Sequence, residues 1–372
     1  MTYIHQRPDW PTFTWDSDTL AAPLAALRHK QGKHLGRMEA LGFQLRTEAS
    51  LSMLTEEVVK TSAIEGEHLD PHEVRSSVAR RLGLDAAGSP KPSRQVEGVV
   101  AMMLDATRNF DTQLTTKRLF GWHAALFPTG RSGMQAITVG GWRSDQGGPM
   151  QVVSGPIGKE KVHFQAPDAD RLEEEMTAFL NWFNSSSAID PILRAGVAHL
   201  WFVTIHPFDD GNGRLARAIA ETALSQADGT QDRYYSMSSG IEAERKDYYA
   251  LLENTQSATL DITPWLTWFF GCLDRTMDAA DASLNTVFEK ARLWQKINSH
   301  PVNERQRRVI NRMLDNFEGK LATSKYAKLA KCSTDTALRD INELQQRNIL
   351  IKNAGGGRST SYRLANPDEI QE

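Results

Sequence analysis

Residues 206–217 read HPFDDGNGRLAR, a combination that few packing arrangements need. Pro207 disfavours the helical conformation at His206, so a helix arriving from the N-terminal side must stop near Ile205. FDDGNG then makes a turn, and a new helix starts near Asn212 with RLARAIAETAL. The backbone N–H groups of Gly211, Asn212 and Gly213 therefore sit at a helix N-terminus, where they and the helix dipole favour an anion, most naturally phosphate. Arg214 and Arg217 are three apart and leave one face of the first turn together. Two guanidiniums beside such a turn suit a polyphosphate better than a carboxylate. Asp210 is a hard oxygen ligand next to that site, of the kind that holds Mg2+. His206, at the preceding helix end, is placed to act as a base towards an incoming hydroxyl. Phe208 is expected to point into the core and anchor the loop. No GxxxxGK[ST] loop and no protein-kinase signature set occurs, so two common phosphate-handling classes are excluded.

The elements that position this stretch are mostly helical. From about 19 to 64, Leu20, Leu24 and Leu27, then Leu41, Leu45, Leu51, Leu54 and Val58, recur mostly at spacings of three or four. Gly66 can end that stretch, Asp70-Pro71 opens a short helix, and AAGSPKPS (86–93) is a loop. Helices are expected at 93–109, 114–126, 168–184 and 190–205, the last with Asp190 as N-cap and Pro191 in its first turn. There Leu193, Val197, Leu200, Trp201 and Thr204 are expected to form one buried face. Residues 128–167 break the pattern: Gly and Pro surround two β-prone pieces, QVV at 151–153 and VHF at 162–164, which predict a hairpin. The first twenty residues, rich in Trp, Pro and aromatics, are expected to lie extended on the body.

HPFDDGNGRLAR matches, position for position, the HxFx[D/E]GNGRxxR signature of Fic-domain proteins, a family that mostly transfers AMP from ATP to protein hydroxyls. The similarity extends over about residues 40–285, through the hairpin before the motif and SSGIEAERKDYYALLENTQ after it. The resemblance implies a mainly α fold: a Fic-type helical core with a β-hairpin flap. It implies that His206 deprotonates a target Tyr, Ser or Thr hydroxyl. Asp210 would hold a Mg2+ bridging the α- and β-phosphates of ATP, Gly211, Asn212 and Gly213 would form the anion hole, and Arg214 and Arg217 would hold the outer phosphates. The oxygen attacks the α-phosphorus and pyrophosphate leaves, with positioning and charge neutralisation supplying most of the rate. Val152, Val153, Val162, His163 and Phe164 would form the flap that pairs with a target segment by strand addition. Tyr248 or Tyr249 would line the adenine pocket.

Beside that motif, TSAIEGE at 61–67 resembles the family's inhibitory [S/T]xxxE[G/N] element, built here from Thr61, Ser62 and Glu65. Thr61 and Glu65 are four apart and share a helix face. The resemblance implies that Glu65 pairs with Arg217 and takes the place of the ATP γ-phosphate, because a carboxylate and a phosphate compete for one guanidinium. On this reading the chain is a self-inhibited protein adenylyltransferase that also modifies itself. Removal of AMP from a modified target by the same glutamate, and use of another nucleotide donor, stay open.

The net charge of −3 conceals an asymmetry: 301–364 holds 13 Lys/Arg against 6 Asp/Glu, a net of +7, which leaves −10 for the rest. A helix, TSKYAKLA, a turn at KCS, the helix TDTALRDINELQQRN and two β-prone pieces joined by GGG resemble a small α+β winged helix-turn-helix. Thr334, Thr336 and Arg339 would be exposed on its recognition helix and Arg358 would sit in its wing, with DNA as the open partner. The expected domains are 1–92, an N-terminal region carrying the inhibitory helix; 93–290, the catalytic core; and 300–366, the basic module. A DNA-binding regulator whose Fic domain only senses nucleotide is the competing reading; the complete His206, Asp210 and Arg217 set argues against a pure sensor.

At 372 residues the chain exceeds a typical single core. Its composition, 40% hydrophobic and 24% charged, is that of an ordinary globular protein. The opening MTYIHQRPDW lacks a basic segment followed by an apolar run, so no secretory leader is expected. No apolar run nears the roughly 18 residues of a membrane span. The two cysteines, Cys272 and Cys332, lack metal-ligand spacing and fit a reducing cytoplasm. A homodimer is left open.

Overall fold

The computed structural model describes residues 2–40, 43–84, 91–156, 159, 161–185, 189–297, 302–314, 317, 319–353, 360–366 and 369. They fall into two compact units, Met1–Asp281 and Ala282–Glu372. The fold is mainly α, with fourteen α-helices among the described residues.

The first unit opens with a 3-10 turn, Ile4–Gln6, that buries Ile4 and His5. The first residues are thus coiled into turns, where an extended segment was expected, because Ile4 and the aromatic residues at 10, 13 and 15 need a folded path to reach the core. Helix α1 (Ser17–Glu39) is capped by Asp16, whose side chain accepts from the N–H groups of Asp18 and Thr19. Helix α2 (Phe43–Ile64) ends at Gly66, which has φ +82° and so takes the left-handed turn at little steric cost. Then follow α3 (Pro71–Arg81), α4 (Arg94–Arg108) and α5 (Thr116–Leu126), capped by Asp70, Ser93 and Thr115.

Two small hairpins come next. Strands β1 (Arg131–Ser132) and β2 (Gln135–Ala136) pair antiparallel, as do β3 (Gln151–Ser154) and β4 (Lys161–Gln165). The first was not expected; two-residue strands carry no readable alternation. In the second, Val152 faces Phe164 and Val153 faces Val162, with a register shift between the two pairs. Phe164 is buried, whereas Val153 and Val162 stay exposed at 47% and 41%. The hairpin is thus fixed on one face and leaves two apolar side chains to solvent.

Helices α6 (Leu172–Asn184) and α7 (Pro191–Ile205) lead to the motif. The expected face of Leu193, Val197, Leu200, Trp201 and Thr204 is buried, and thirteen of the fifteen residues of α7 are buried with it, so it is a central helix. Its neighbours explain why: α8 (Asn212–Asp228) packs along one side, and Gly196 lets Leu266 and Phe269 approach another. The unit closes with α9 (Met237–Ala243), α10 (Arg245–Gln256) and the first part of α11 (Thr263–Ile297).

One polar anchor fixes α2. Buried Glu57 accepts from Ser236 Oγ at 2.7 Å, from Ser238 N at 3.0 Å and from Ser238 Oγ, tying α2 to the start of α9. A buried carboxylate needs such donors, and three of them make this joint specific.

The second unit has its own core, which includes Leu293, Ile297, Val309, Ile310, Tyr326, Ile341 and Leu344. Helices α12 (Glu304–Leu314), α13 (Thr323–Ala330) and α14 (Thr334–Gln346) precede the antiparallel strands β5 (Leu350–Lys352) and β6 (Tyr362–Leu364). Lys331, at φ +52°, makes the turn between α13 and α14. Thr334 and Arg339 are exposed. Thr336 is not: it is half-buried, its N–H bonded to Ser333 Oγ and its hydroxyl 2.9 Å from that atom, because Ser333 caps α14. Arg358 lies outside the described residues. Among those residues no helix is long and apolar enough to cross a membrane.

The packing of α4 on α5 generates a test. A Cβ on Gly98 would lie 1.8 Å from the Ala125 carbonyl oxygen, a backbone atom that cannot swing aside. Replacing a mid-helix glycine by alanine normally gains about 1 kcal/mol of helix propensity. Here overpacking, roughly 1–3 kcal/mol, should win, so Gly98→Ala is expected to lower the melting temperature in calorimetry, and a raised one would refute the close contact.

Candidate active site

The site is built where α7 gives way to α8. His206 N–H still bonds to Phe202 O at 3.0 Å, but the residue itself has φ 52° and ψ 55°, so the helix ends in a left-handed step. Arg143 secures that step: its Nε donates to His206 O at 2.8 Å, and its own N–H donates to Pro207 O at 3.0 Å. The rest of the guanidinium binds Asp145 at 2.8 Å and Pro167 O at 2.5 Å, so each of its three nitrogens has a partner.

His206 Nδ1 lies 3.2 Å from Val203 O. A carbonyl only accepts, so Nδ1 carries the proton and Nε2 keeps its lone pair. Burial holds the imidazole down to about 4, helped by the Arg143 charge and opposed by Val203 O, Asp210 and Glu65. A neutral imidazole with a free Nε2 is the form a general base needs.

Phe208 is fully buried and stacks on His123, ring centroids 4.2 Å apart. Asn212 clamps it from the helix side: its Oδ1 accepts from Phe208 N at 3.0 Å and its Nδ2 donates to Phe208 O at 2.8 Å. Only the backbone N–H of Asn212 is therefore left for an anion. Gly211, at φ +83°, passes so near Phe127 that a Cβ would meet Cε2 at 2.9 Å. The two acidic residues of the loop differ. Asp209 accepts from Thr138 N at 2.8 Å and ties the loop down. Half-exposed Asp210 accepts from Gly211 N at 2.5 Å and from the hydroxyl of Ser132.

At the N-terminus of α8 a carboxylate stands where the sequence called for an anion. A Cβ added to Gly213 would lie 2.2 Å from Glu65 Oε1. That same oxygen accepts from Arg217 Nη2 at 2.7 Å. Arg217 also donates through Nε to Thr61 Oγ1 at 2.7 Å and through Nη2 to Thr61 O at 2.9 Å. Its Nη1 is buried without a hydrogen-bond partner, so the guanidinium retains unused donor capacity. Ser62 is buried too, but its hydroxyl makes no hydrogen bond and does not join these contacts.

The second arginine brings in a residue the sequence reading missed. Arg214 Nη1 donates to Glu67 Oε2 at 2.8 Å, and its guanidinium lies over the Phe127 ring, 5.1 Å from the centroid. Both arginines are thus faced by carboxylates from the short segment that follows α2. The only available signal was a second Glu two places after Glu65, just past the turn at Gly66. Arg143 and Ser132 were likewise illegible, since their partners lie far off in sequence.

A cleft of about 600 Å3 opens here, lined by Glu65, Gly213, His206, Tyr248, Tyr249 and the hairpin residues Val152, Val153, His163 and Phe164. The two tyrosines differ. Tyr248 is buried with its hydroxyl 2.9 Å from His199 Nε2, whereas Tyr249 is 39% exposed and reaches Ile64 O at 3.3 Å and Glu65 Oε2 at 3.4 Å. Val162 belongs to the same hairpin but does not line the cleft.

The motif lies within a match to a known family. Residues 113–224 match the family model of the Fic/DOC family. The chain carries a Fic domain. Residues 307–363 match a DeoR-like helix-turn-helix domain, and residues 3–84 match a domain of unknown function, DUF4172. A protein adenylyltransferase Fic of Nematostella vectensis is 35% identical over 119 residues, which is 32% of this chain and 26% of that protein. One of Drosophila virilis is 34% identical over 105 residues, 28% of this chain and 20% of that protein. The match therefore spans only about a quarter and a fifth of the length of these relatives. A Fic family protein from Desulfovibrio desulfuricans G20 shares the fold, with a TM-score of 0.54 and 21% identity over 95% of this chain and 98% of that one. A Fic domain-containing signalling protein from Bacteroides thetaiotaomicron gives a TM-score of 0.50 and 18% identity, over 68% of this chain and 95% of that one.

The His206 environment carries a sign that titration can read. Its folded value, about 4, lies below that of a free imidazole, so on acidification the unfolded chain takes up this proton first. The stabilisation is present above about pH 6.5 and is lost as pH falls towards about 4. In long-range nitrogen–proton spectra, His206 should stay neutral from about pH 8 to about pH 5; an imidazolium at about pH 6 would overturn the buried-base geometry.

Proposed function

We propose that this chain is a self-restrained protein adenylyltransferase, moving AMP from ATP to the hydroxyl of a Tyr, Ser or Thr side chain and releasing pyrophosphate. The observation that carries the reading is the Glu65 carboxylate lying against Gly213 while bonded to buried Arg217. A helix N-terminus with two buried guanidiniums is a polyphosphate cradle, and an internal carboxylate inside it is a competitor for that anion.

On this reading His206 Nε2 takes the proton of the incoming hydroxyl, whose oxygen bonds to the α-phosphorus as the bond to the pyrophosphate oxygen breaks. The N–H groups of Asn212 and Gly213 hold phosphate oxygens, the expected third donor, Gly211 N–H, being taken by Asp210, and Arg214 and Arg217 hold the outer phosphates. Tyr249, and behind it Tyr248, bound the side of the cleft assigned to the base. The exposed pair Val153 and Val162 on the hairpin offers apolar contact to an extended target segment.

Asp210 suits Mg2+: it is a half-exposed, all-oxygen donor with the Ser132 hydroxyl beside it. The described residues hold no cluster of three or more metal-ligating side chains, so an ion at Asp210 would need phosphate and water oxygens as its other ligands. When bound, Mg2+ would neutralise charge developing on the phosphates.

For the basic module we propose DNA as the partner, on the DeoR-like match, the net charge of +7 over 301–364 and the exposed Thr334 and Arg339 on α14. Removing 300–372 should abolish DNA binding by the full chain, and that binding should weaken steeply with salt. Salt-independent binding would assign the module to protein contacts.

Glu65→Gly tests the restraint. The lost contact is a charge-assisted hydrogen bond of roughly 1.5–3 kcal/mol. Because Glu65 is partly exposed, the lower end applies, and transfer of α-labelled ATP to lysate proteins should rise by about tenfold. Adding Arg217→Ala should reverse the gain, and adding His206→Ala should cost roughly 10²–10⁴-fold. Glu65→Gly/Glu67→Gln should bind ATP more tightly than Glu65→Gly alone, since Arg214 is then freed as well. Equal labelling by wild type and Glu65→Gly, with His206→Ala inactive, would return Glu65 to the role of a helix end. Parallel reactions with the other α-labelled nucleoside triphosphates check the donor, and release of AMP from labelled targets by the wild type checks the reverse activity.

A further inference from the structure

The hairpin beside the cleft carries a second hydroxyl–imidazole–carboxylate set, separate from His206. Ser154, the last residue of β3, has its Oγ 2.6 Å from His163 Nε2 on β4. The other ring nitrogen, His163 Nδ1, lies 2.6 Å from Glu253 Oε2 on α10. The second Glu253 oxygen accepts from Lys161 Nζ at 2.9 Å, which fixes the carboxylate from the far side. Hydrogen bonds from Lys161 and His163 hold the Glu253 carboxyl below the usual range, so it is ionised at neutral pH.

An ionised carboxylate only accepts, so Nδ1 carries a proton and, in the neutral ring, Nε2 presents its lone pair to the Ser154 hydroxyl. A hydroxyl donating to an imidazole that is oriented by a carboxylate is the general arrangement of an activated oxygen nucleophile. Packing does not call for it. Ser154 is exposed, and a hydrogen bond at the surface adds little to the stability of the hairpin. Ser154, His163 and Glu253 all line the cleft that also holds Glu65, Gly213 and His206.

We propose that Ser154 is an acceptor for the chain's own nucleotidyl transfer, with His163 as its base and Glu253 as the residue that positions His163. The inference rests on the adenylyltransferase reading and names a substrate residue for it. The co-reactant is a nucleoside triphosphate. Ser154 Oγ forms a bond to the α-phosphorus, the bond from that phosphorus to the pyrophosphate oxygen breaks, and pyrophosphate leaves with the electron pair. The hydroxyl proton passes to His163 Nε2. The product, a nucleotide ester at the end of β3, stands one residue from Val153 on the strand assigned to target pairing, so it obstructs that edge and limits further transfer.

The test uses the full chain carrying Glu65→Gly, incubated with α-labelled ATP, Mg2+ and a cell lysate, then digested for tandem mass spectrometry. AMP is expected on Ser154. Ser154→Thr should retain label at that position. His163→Gln should reduce it by at least about tenfold relative to lysate labelling in the same tube, as loss of a general base does. Glu253→Gln should shift the pH dependence of Ser154 labelling without moving that of lysate proteins. Labelled lysate proteins with an unmodified Ser154, or Ser154 labelling indifferent to His163→Gln, would overturn this inference and leave the adenylyltransferase reading intact. Absence of label on both would overturn both.

Discussion

Two buried positive charges at the positive end of a helix cannot stand alone, and most of the first unit can be read as a response to that constraint. Arg214 and Arg217 have side chains only 2% exposed, beside the N–H groups that open α8. An uncompensated buried charge costs several kcal/mol, and the helix dipole adds to the demand for an anion. Glu65 and Glu67 meet it, one for each guanidinium. Yet Arg217 Nη1 and Arg214 Nε remain without partners, so two carboxylates do not use all the donors present. A phosphate chain, with more oxygens than two carboxylates, satisfies the same groups more fully.

Delivering a carboxylate to within 2.7 Å of Arg217 requires that the segment carrying it be fixed. The spacing on α2 does this. Glu57, Thr61 and Glu65 follow one another at four-residue steps and so share one side of the chain. Glu57 is locked to Ser236 and Ser238, Thr61 accepts from Arg217, and Glu65 completes the row. Lys60 adds an ion pair to Glu242 at 3.0 Å, partly exposed and correspondingly weak. The anchor is neutral-hydroxyl to charged-carboxylate bonding in the interior, while the delivered group lies at the half-open edge of the cleft. An anion that displaces Glu65 therefore has to break only the outer contact. Helix α2 keeps its place.

How much of this was legible in the sequence depends on the range of each interaction. The helix ends around the motif, the helix starts at Asp70 and Asp190, the long hairpin and the helix-turn-helix of the second unit all follow from local rules, because Pro, Gly and capping side chains act within a few residues. The burial of Phe208 was legible for the same reason: an aromatic residue in a tight turn needs somewhere to go. Arg143 was not, because its partners, His206 O, Pro207 O and Pro167 O, are backbone atoms tens of residues away that leave no trace in composition. Glu67 was missed since its pairing with Arg214 depends on the direction in which the chain leaves Gly66. The buried face of α7 was legible, but the burial of its other sides was not, because a helix buried all round shows the same apolar positions as an amphipathic one, plus more. Thr336 was placed on the surface by the resemblance to a winged helix-turn-helix, while the capping preference of Ser333 drew it inward.

The geometry keeps the proton-accepting group and the anion-binding groups on separate supports. A left-handed residue that is not glycine costs of order 1–3 kcal/mol, and His206 is held there by Arg143 and by its own bond to Val203 O. None of these contacts involves Glu65, Glu67, Arg214 or Arg217. The imidazole's tautomer and orientation are therefore set by contacts separate from those that hold Glu65. On the proposed reading, Glu65 restrains the reaction by deciding where phosphates lie and leaves the base ready, so that the chain is restrained through substrate pose alone. That division also explains how a second acceptor site can exist on the hairpin. On the proposed reading, a phosphate pose fixed by α8 can serve a hydroxyl on the cleft wall only where that hydroxyl lies in line with the leaving pyrophosphate oxygen and brings its own base.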